Sequence, residues 1–172
     1  MNRHPRLNFP SFPFRIVRRA GVPYVWDEMR GRWLLLTPEE WVRRHLVRFL
    51  VERLGADRHY VVQEYPVDLQ GQPQRADVVV LAPGGACREG TETCGGRPEP
   101  LLLAECKAAD VPIDDAVLAQ AVRYNSRVGA RFLLLTNGMK HYCYEADGKG
   151  GYRTLSSLPD LGAYCRPPFF PE

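Results

Sequence analysis

The 172-residue sequence predicts an α/β fold of the α+β-like kind: a central mixed β-sheet flanked by helices, with a small antiparallel preface before it. Three observations predict it. Residues 38–54 and 114–128 space their apolar side chains with helical period and run between a capping residue and a glycine. Short apolar runs at 75–81, 101–107 and 131–136 are strand-length. Their order, helix, strand, strand, strand, helix, strand once 59–67 is included, suits a mixed sheet with helices packed on it.

Composition supports one globular unit. A hydrophobic fraction of 45% with 25% charged residues is that of a soluble chain, and its length suits a single domain, 1–172. No apolar run approaches the roughly 20 residues of a membrane span. The N-terminal residues have no apolar signal segment, and five cysteines form no paired framework. A cytoplasmic protein with reduced thiols and no membrane partner is expected. The net charge of +3 hides an asymmetry: residues 1–58 hold 12 arginines against 6 acids, so the basic half suits a polyanion or is simply a solvated face.

In chain order, residues 1–13 contain Pro5, Pro10 and Pro13 and read as an extended arm, pinned by Phe9, Phe12 and Phe14. Residues 14–36 hold three short strands around turns at Gly21 and Gly31. Thr37-Pro38-Glu39-Glu40 opens the first helix as N-cap, first-position proline and capping-box acid, and Gly55 stops it. Val42, Leu46, Phe49, Leu50 and Leu54 form its apolar stripe, which leaves Arg43, Arg44 and Arg48 nearer solvent. The central core spans 37–147. Within it, residues 59–67 and 75–81 flank the turn segment 68–74 as a hairpin, and the Gly-rich stretch 82–100 reads as a flexible loop. Asp114 caps the second helix, and Asn137-Gly138 turns the strand at 131–136 into a hairpin partner. The proline-containing segment 148–172 reads as a loosely packed tail.

Two of the apolar runs carry charges that are costly to bury alone. Asp77 stands in Arg75-Ala76-Asp77-Val78-Val79-Val80-Leu81, and Glu105 and Lys107 stand in Leu101-Leu102-Leu103-Ala104-Glu105-Cys106-Lys107. Strand side chains alternate, so Glu105 and Lys107 point the same way and Cys106 points the other. Pairing the two strands brings Asp77 beside them. Two acids and a lysine together suit a hard divalent cation and a water, whereas a structural salt bridge explains only one acid unless Arg75 or Arg123 reaches the other. The chain has 20 arginines and only Lys107, Lys140 and Lys149 as lysines. A lysine in an apolar strand of such a chain suggests proton handling that guanidinium cannot do.

With these motifs in order, the chain resembles the PD-(D/E)xK nuclease superfamily, and more closely the N-terminal nuclease region of type I restriction enzyme R subunits in a short stand-alone form. The matching residues are Phe14-Arg15-Ile16, Thr37 to Arg43, Arg75-Ala76-Asp77, Glu105-Cys106-Lys107, Gln120, Arg123-Tyr124-Asn125 and Thr136-Asn137-Gly138; the proline before the first acid is absent. The resemblance implies a restriction-endonuclease-like core and a Mg²⁺-dependent DNA endonuclease, with Mn²⁺ as a substitute. Asp77, Glu105 and the Cys106 backbone carbonyl are its implied metal ligands, with Glu40 or Glu64 as rivals for a third acid. Lys107 is the implied water-handling residue, and Gln120 and Tyr124 resemble a Gln-x-x-x-Tyr pair that supports the lysine or contacts nucleic acid. Arg43, Arg44, Arg123, Arg127 and Asn125 are candidate nucleic-acid contacts. DNA, a restriction-system or helicase subunit and a second copy of the chain are the partners it admits. The alternatives are a catalytically silent module of the same fold that binds DNA or a partner subunit, and a small structural partner with no nucleic-acid role. Cys87, Cys94, His141 and Cys143 have spacing too irregular for a zinc site and read as free thiols.

Overall fold

A computed structural model describes residues 4–84 and 96–165. Strands β1 (Ile16–Arg19), β2 (Val22–Asp27) and β3 (Arg32–Leu35) form a three-stranded antiparallel sheet in that order. Helix α1 (Pro38–Glu52) follows, then a 3₁₀ turn at Arg58–Tyr60. Strands β4 (Val61–Leu69), β5 (Gln72–Gly84), β6 (Gly96–Cys106), β7 (Phe132–Thr136), β8 (His141–Ala146) and β9 (Tyr152–Leu155) form one six-stranded sheet in chain order. Helix α2 (Asp115–Val128) joins β6 to β7, the single parallel pair among these neighbours, and α3 (Gly162–Cys165) closes the described chain. The mixed sheet and its antiparallel preface are the α+β arrangement that the sequence predicts.

The sheet alternation divides the core in two. Val78, Val80, Leu102, Ala104 and Cys106 pack with Val42, Leu46, Val47 and Leu50 of α1. Val79, Leu103, Leu133 and Leu135 pack with Val117, Ala121 and Tyr124 of α2. The two helices therefore cover opposite faces, and from Val78 to Val80 and Leu102 to Cys106 alternation decides which core a residue joins, whereas Asp77 at the strand-ladder end reaches α1. The caps agree with the sequence. Thr37 Oγ1 accepts from the Glu40 N–H at 3.0 Å, Asp114 accepts from Ala116 and Val117 N–H groups, and Gly129 ends α2 at φ 74°.

The structure corrects four expectations. The hairpin turn is not 68–74 but Gln70-Gly71, both at positive φ, because Asp68 Oδ1 accepts the Gly71 N–H at 2.7 Å and the strands continue to Leu69 and from Gln72. Of the loop expected at 82–100, residues 82–84 and 96–100 are strand, with Ala82 paired to Glu99 and Gly84 to Gly96; the rest, with Cys87 and Cys94, lies outside the described residues. The C-terminal segment is no loose cover where it is described: β9 adds a strand, Leu161 is fully buried against the α1 side of the core, and the Gly162 N–H donates to Leu54 O at 3.0 Å. Finally, Arg43 and Arg44 are buried rather than near solvent, since acids on neighbouring elements turn them inward. Only Arg48 of the three keeps a more exposed position, paired with Glu28 and Glu52.

The N-terminal arm is docked from residue 5 on. Leu7 and Phe12 are buried, the Asn8 N–H donates to Gly138 O at 2.7 Å, and Trp41 Nε1 donates to Pro5 O at 2.9 Å. Phe9 stacks on His45 and the Phe14 ring packs against it at a tilt, as the pinning reading requires. Packing of the C-terminal segment has a measurable consequence: Leu161→Ala should lower unfolding stability by about 2–5 kcal/mol in a urea titration, as expected for a leucine truncated inside a core.

Candidate functional site

The β5–β6 register builds the site. Val78 pairs with Ala104, Val79 with Leu103 and Val80 with Leu102, so Asp77 and Glu105 are the next facing positions, where the ladder ends. There a side chain takes over from the backbone. Asp77 Oδ2 accepts the Cys106 N–H at 2.7 Å, and Asp77 Oδ1 accepts from Arg43 Nη2 at 2.7 Å. Both carboxylate oxygens are thus engaged, one by the neighbouring strand and one by α1.

Glu105 is in a different condition. It is 2% exposed, its Oε2 accepts from Gln120 Nε2 at 3.3 Å, and its Oε1 is buried with no hydrogen-bond donor. Desolvation and the nearby Asp77 charge, only partly offset by Lys107, push its pKa up to about 8. Lys107 forms no strand-to-strand salt bridge; its Nζ donates to Gln120 Oε1 at 3.4 Å. Gln120 therefore bridges the acid and the lysine with the two ends of one amide. Its Nε2 also lies 3.3 Å from Tyr124 Oη, which reaches Gln74 Oε1 at 3.5 Å. The i, i+4 spacing on α2 places Gln120 and Tyr124 on one face, so the site is continuous from Lys107 to Gln74.

The other acids gather around arginines. Arg43 lies 2.9 Å from Glu40 Oε2, 3.1 Å from Glu39 Oε1 and 3.6 Å from Glu64 Oε1, besides its bond to Asp77. Burial lowers the Arg43 pKa, but Asp77 and Glu40 outweigh it and the net shift is upward. Arg44 Nε is 2.7 Å from Glu40 Oε1, an ion pair lacking hydrogen-bond alignment, and Arg44 Nη1 is 2.8 Å from Asp27 Oδ2. Arg30 bonds Asp27 and approaches Glu64 at 3.5 Å and Glu40 at 3.8 Å. Glu40 accordingly spends its carboxylate on cations and does not complete the capping box; burial raises its pKa despite these arginines. Glu64 stands opposite Asp77, since Gln63 pairs with Val78 and Tyr65 with Ala76. It adopts φ 54°, a left-handed conformation rare for a non-glycine residue inside a strand and of the strained kind that clusters at functional sites. Arg75 reaches Glu64 at 3.5 Å and neither of the other two strand acids.

Among the expected nucleic-acid contacts, Arg43 and Arg44 are committed to carboxylates. Asn125 is buried: its amide nitrogen donates to Ala130 O and Tyr152 Oη, and its Oδ1 accepts the Ala130 N–H, so it secures the end of α2 rather than meeting a ligand. Arg123 and Arg127 stay exposed, beside the β4–β5 turn. Cys106 and Cys143 are free and buried, and His141 Nδ1 shares a hydrogen bond with Thr136 Oγ1. Among the described residues, no three His, Cys, Asp or Glu side chains converge into a ready-made metal cluster. Arg30, Asp27 and Gln74 were not legible as site residues: only the Asp27-to-Arg30 spacing around a turn hints at the first two, and nothing in the sequence distinguishes Gln74.

The raised Glu105 pKa fixes the sign of a pH effect. Between the ordinary value of 4.5 and about 8, the folded protein binds a proton that the unfolded chain has released, so stability is full below that window and falls as pH rises through it. In EDTA the Tm should drop between pH 5 and 8, and Glu105→Gln should remove on the order of 5 °C of that drop. An unchanged slope in Glu105→Gln would show that this carboxyl is not the titrating group.

Comparison with known proteins bears on this geometry. Residues 38–159, most of the chain and all of the site acids named above except Asp27, match the family described as Type I restriction enzyme R protein N terminus. No curated protein and no solved structure matches the chain.

Proposed function

The chain belongs to the Type I restriction enzyme R protein N-terminus family, whose membership suggests a restriction-type nuclease role, and on that premise we propose that it hydrolyses DNA phosphodiester bonds with a divalent cation, Mg²⁺ or Mn²⁺. The observation that carries this reading is the buried, donor-less Oε1 of Glu105, a carboxyl whose electrostatics Asp77 and Lys107 both influence. A desolvated carboxylate oxygen with no partner fits a missing cation, and a donor set made only of oxygens fits a hard one. Asp77, Glu105 and the Cys106 carbonyl would hold it. When bound, the cation supplies charge that polarises the scissile phosphate and acidifies a nearby water.

The chain's own residues do the rest. Gln120 keeps Lys107 and Glu105 in fixed relation through one amide. Lys107 orients the attacking water and offsets the negative charge that develops on phosphorus as the new P–O bond forms and the bond to the leaving sugar oxygen breaks. Tyr124 holds Gln120 in turn. Arg43, which now bonds Asp77 Oδ1, would give up that oxygen to a bound cation and could keep its pairs with Glu40 and Glu39. Glu64 is the third acid in this reading, because it faces Asp77 and all its ion pairs lie at 3.5–3.6 Å, whereas Glu40 has two at 2.7 and 2.9 Å.

One observation favours a second reading. Arg43 already neutralises Asp77 with a fixed charge, which suits a silent module of the same fold that binds DNA or a partner subunit. A cleavage assay of the purified chain on single-stranded, duplex and branched DNA separates the two. Mg²⁺ or Mn²⁺ should support cutting that EDTA abolishes and Lys107→Ala slows by about 10²–10⁴-fold. A wild type that binds the metal and cuts none of these substrates would sink the nuclease reading in favour of the silent one.

The third acid has its own test, independent of turnover. Calorimetric titration with Mn²⁺ should show weaker binding for Glu64→Gln, while Glu40→Gln should keep the affinity and lower Tm because it strands buried guanidinium groups. The reverse pattern would assign the ligand to Glu40.

A further inference from the structure

The three-stranded sheet has a face that the hydrolytic site does not use. By register, Arg15 faces Trp26, and Trp26 faces Trp33; Val17 faces Tyr24, and Tyr24 faces Leu35. With Arg19 two positions beyond Val17, all of these share one side of the sheet. The arginines interleave with the rings. Arg15 lies 5.4 Å from the Trp26 ring centre and 5.8 Å from that of Trp33, and Arg19 lies 5.3 Å from Tyr24 and 5.7 Å from Trp33.

Two further features mark this sheet. Of the six large apolar side chains exposed among the described residues, Ile16, Val17, Val22 and Leu35 are here. The segment from Phe14 to Trp26 carries Arg15, Arg18 and Arg19, all exposed, and no acid. The first acid, Asp27, is buried in its bonds to Arg30 and Arg44. An exposed face that joins ring planes to unneutralised guanidinium groups is complementary to a ligand with flat apolar plates and negative charges between them.

We propose that this face docks single-stranded DNA, with bases stacked on Tyr24, Trp26 and Trp33 and phosphates on Arg15 and Arg19. Stacking on aromatic rings demands unpaired bases, which a duplex keeps inside its own stack. Arg15 and Arg19 are held only by ring contacts at an exposed surface, so each swings to a phosphate and frees a ring face for a base. The sheet that carries the platform is tied to the strand acids from its opposite face, where buried Asp27 accepts from Gln63 Nε2 at 3.3 Å and Gln63 precedes Glu64. The proposal does not rest on hydrolysis, and Lys107→Ala leaves it unaffected.

The test uses the full chain in EDTA, carrying Trp41→Phe so that Trp26 and Trp33 are its remaining tryptophans. A dT oligonucleotide of about 16 nucleotides, within the usual footprint range, should quench their fluorescence, with an affinity that falls as salt rises. Arg15→Gln with Arg19→Gln should weaken binding at least about tenfold. Because that pair also removes the ring contacts, Val17→Glu provides a second variant at an exposed position and should weaken binding with Tm unchanged. Absence of dT binding at low salt, binding without tryptophan quenching, binding unaffected by both variants, or tighter binding of a blunt duplex of equal length would each overturn the proposal.

Discussion

Asp77 is the joint on which the site depends, because its two oxygens tie together parts of the chain that the backbone ladder does not. One oxygen takes the Cys106 N–H where the β5–β6 pairing stops, and the other takes a guanidinium of α1. A carboxylate at that point would otherwise open the strands, since the next facing residue is another acid, Glu105. Capping the ladder end with a side chain lets the two acids sit opposite each other without separating β5 from β6. The Arg43 bond then sets the approach of α1 to the sheet, beyond what the packing of Leu46 and Leu50 requires.

From Arg43 the charges run on as a network. Glu40, Glu64 and Glu39 share it, Arg44 and Arg30 add Asp27, and Asp27 reaches the three-stranded sheet. Guanidinium suits this work: it stays charged when buried and offers several donors in one plane, so Arg43 alone lies within ion-pair distance of four acids. Isolated buried charges cost several kcal/mol each, and removing one partner strands the others, so this network couples the preface sheet to β4 and β5. The Asp27 carboxyl shows the balance: burial alone would raise its pKa, yet Arg44 and Arg30 bring it below the ordinary value.

The sheet, both helices and their caps were legible in the sequence because local rules decide them: alternation at Val78 to Val80, and side-chain capping at Thr37 and Asp114. The facing of Asp77 and Glu105 also followed, since two adjacent apolar strands with embedded charges have few ways to shelter them. What was not legible depends on partners distant in sequence. Arg43 and Arg44 sit on the polar side of a helical pattern that cannot reveal the acids waiting at Asp77 and Asp27. Asn125 sits beside Tyr124 in a motif that suggests ligand contact, and only the fold shows its amide closing on Ala130. Gln70-Gly71 and the strand at Tyr152–Leu155 were lost to weak local signals, a short turn inside a longer polar stretch and a four-residue edge strand.

The distribution of charge around the two strand acids gives the site a direction. On the α1 side every acid has a cation: Arg43 meets Asp77, Glu40 and Glu64, and Arg44 and Arg30 support it. On the α2 side Lys107 bonds Gln120 rather than an acid, and Glu105 Oε1 has no hydrogen-bond donor. The α1 side can therefore fold and persist without any added ion, while the α2 side carries an electrostatic deficit that folding does not relieve. In the reading proposed above, a cation held at Glu105 would relieve that deficit with only the Arg43–Asp77 bond given up, whereas one on the α1 side would have to displace the arginine network. The same asymmetry explains why Gln120 matters: a neutral amide can hold Lys107 beside Glu105 without cancelling the charge that a cation would seek.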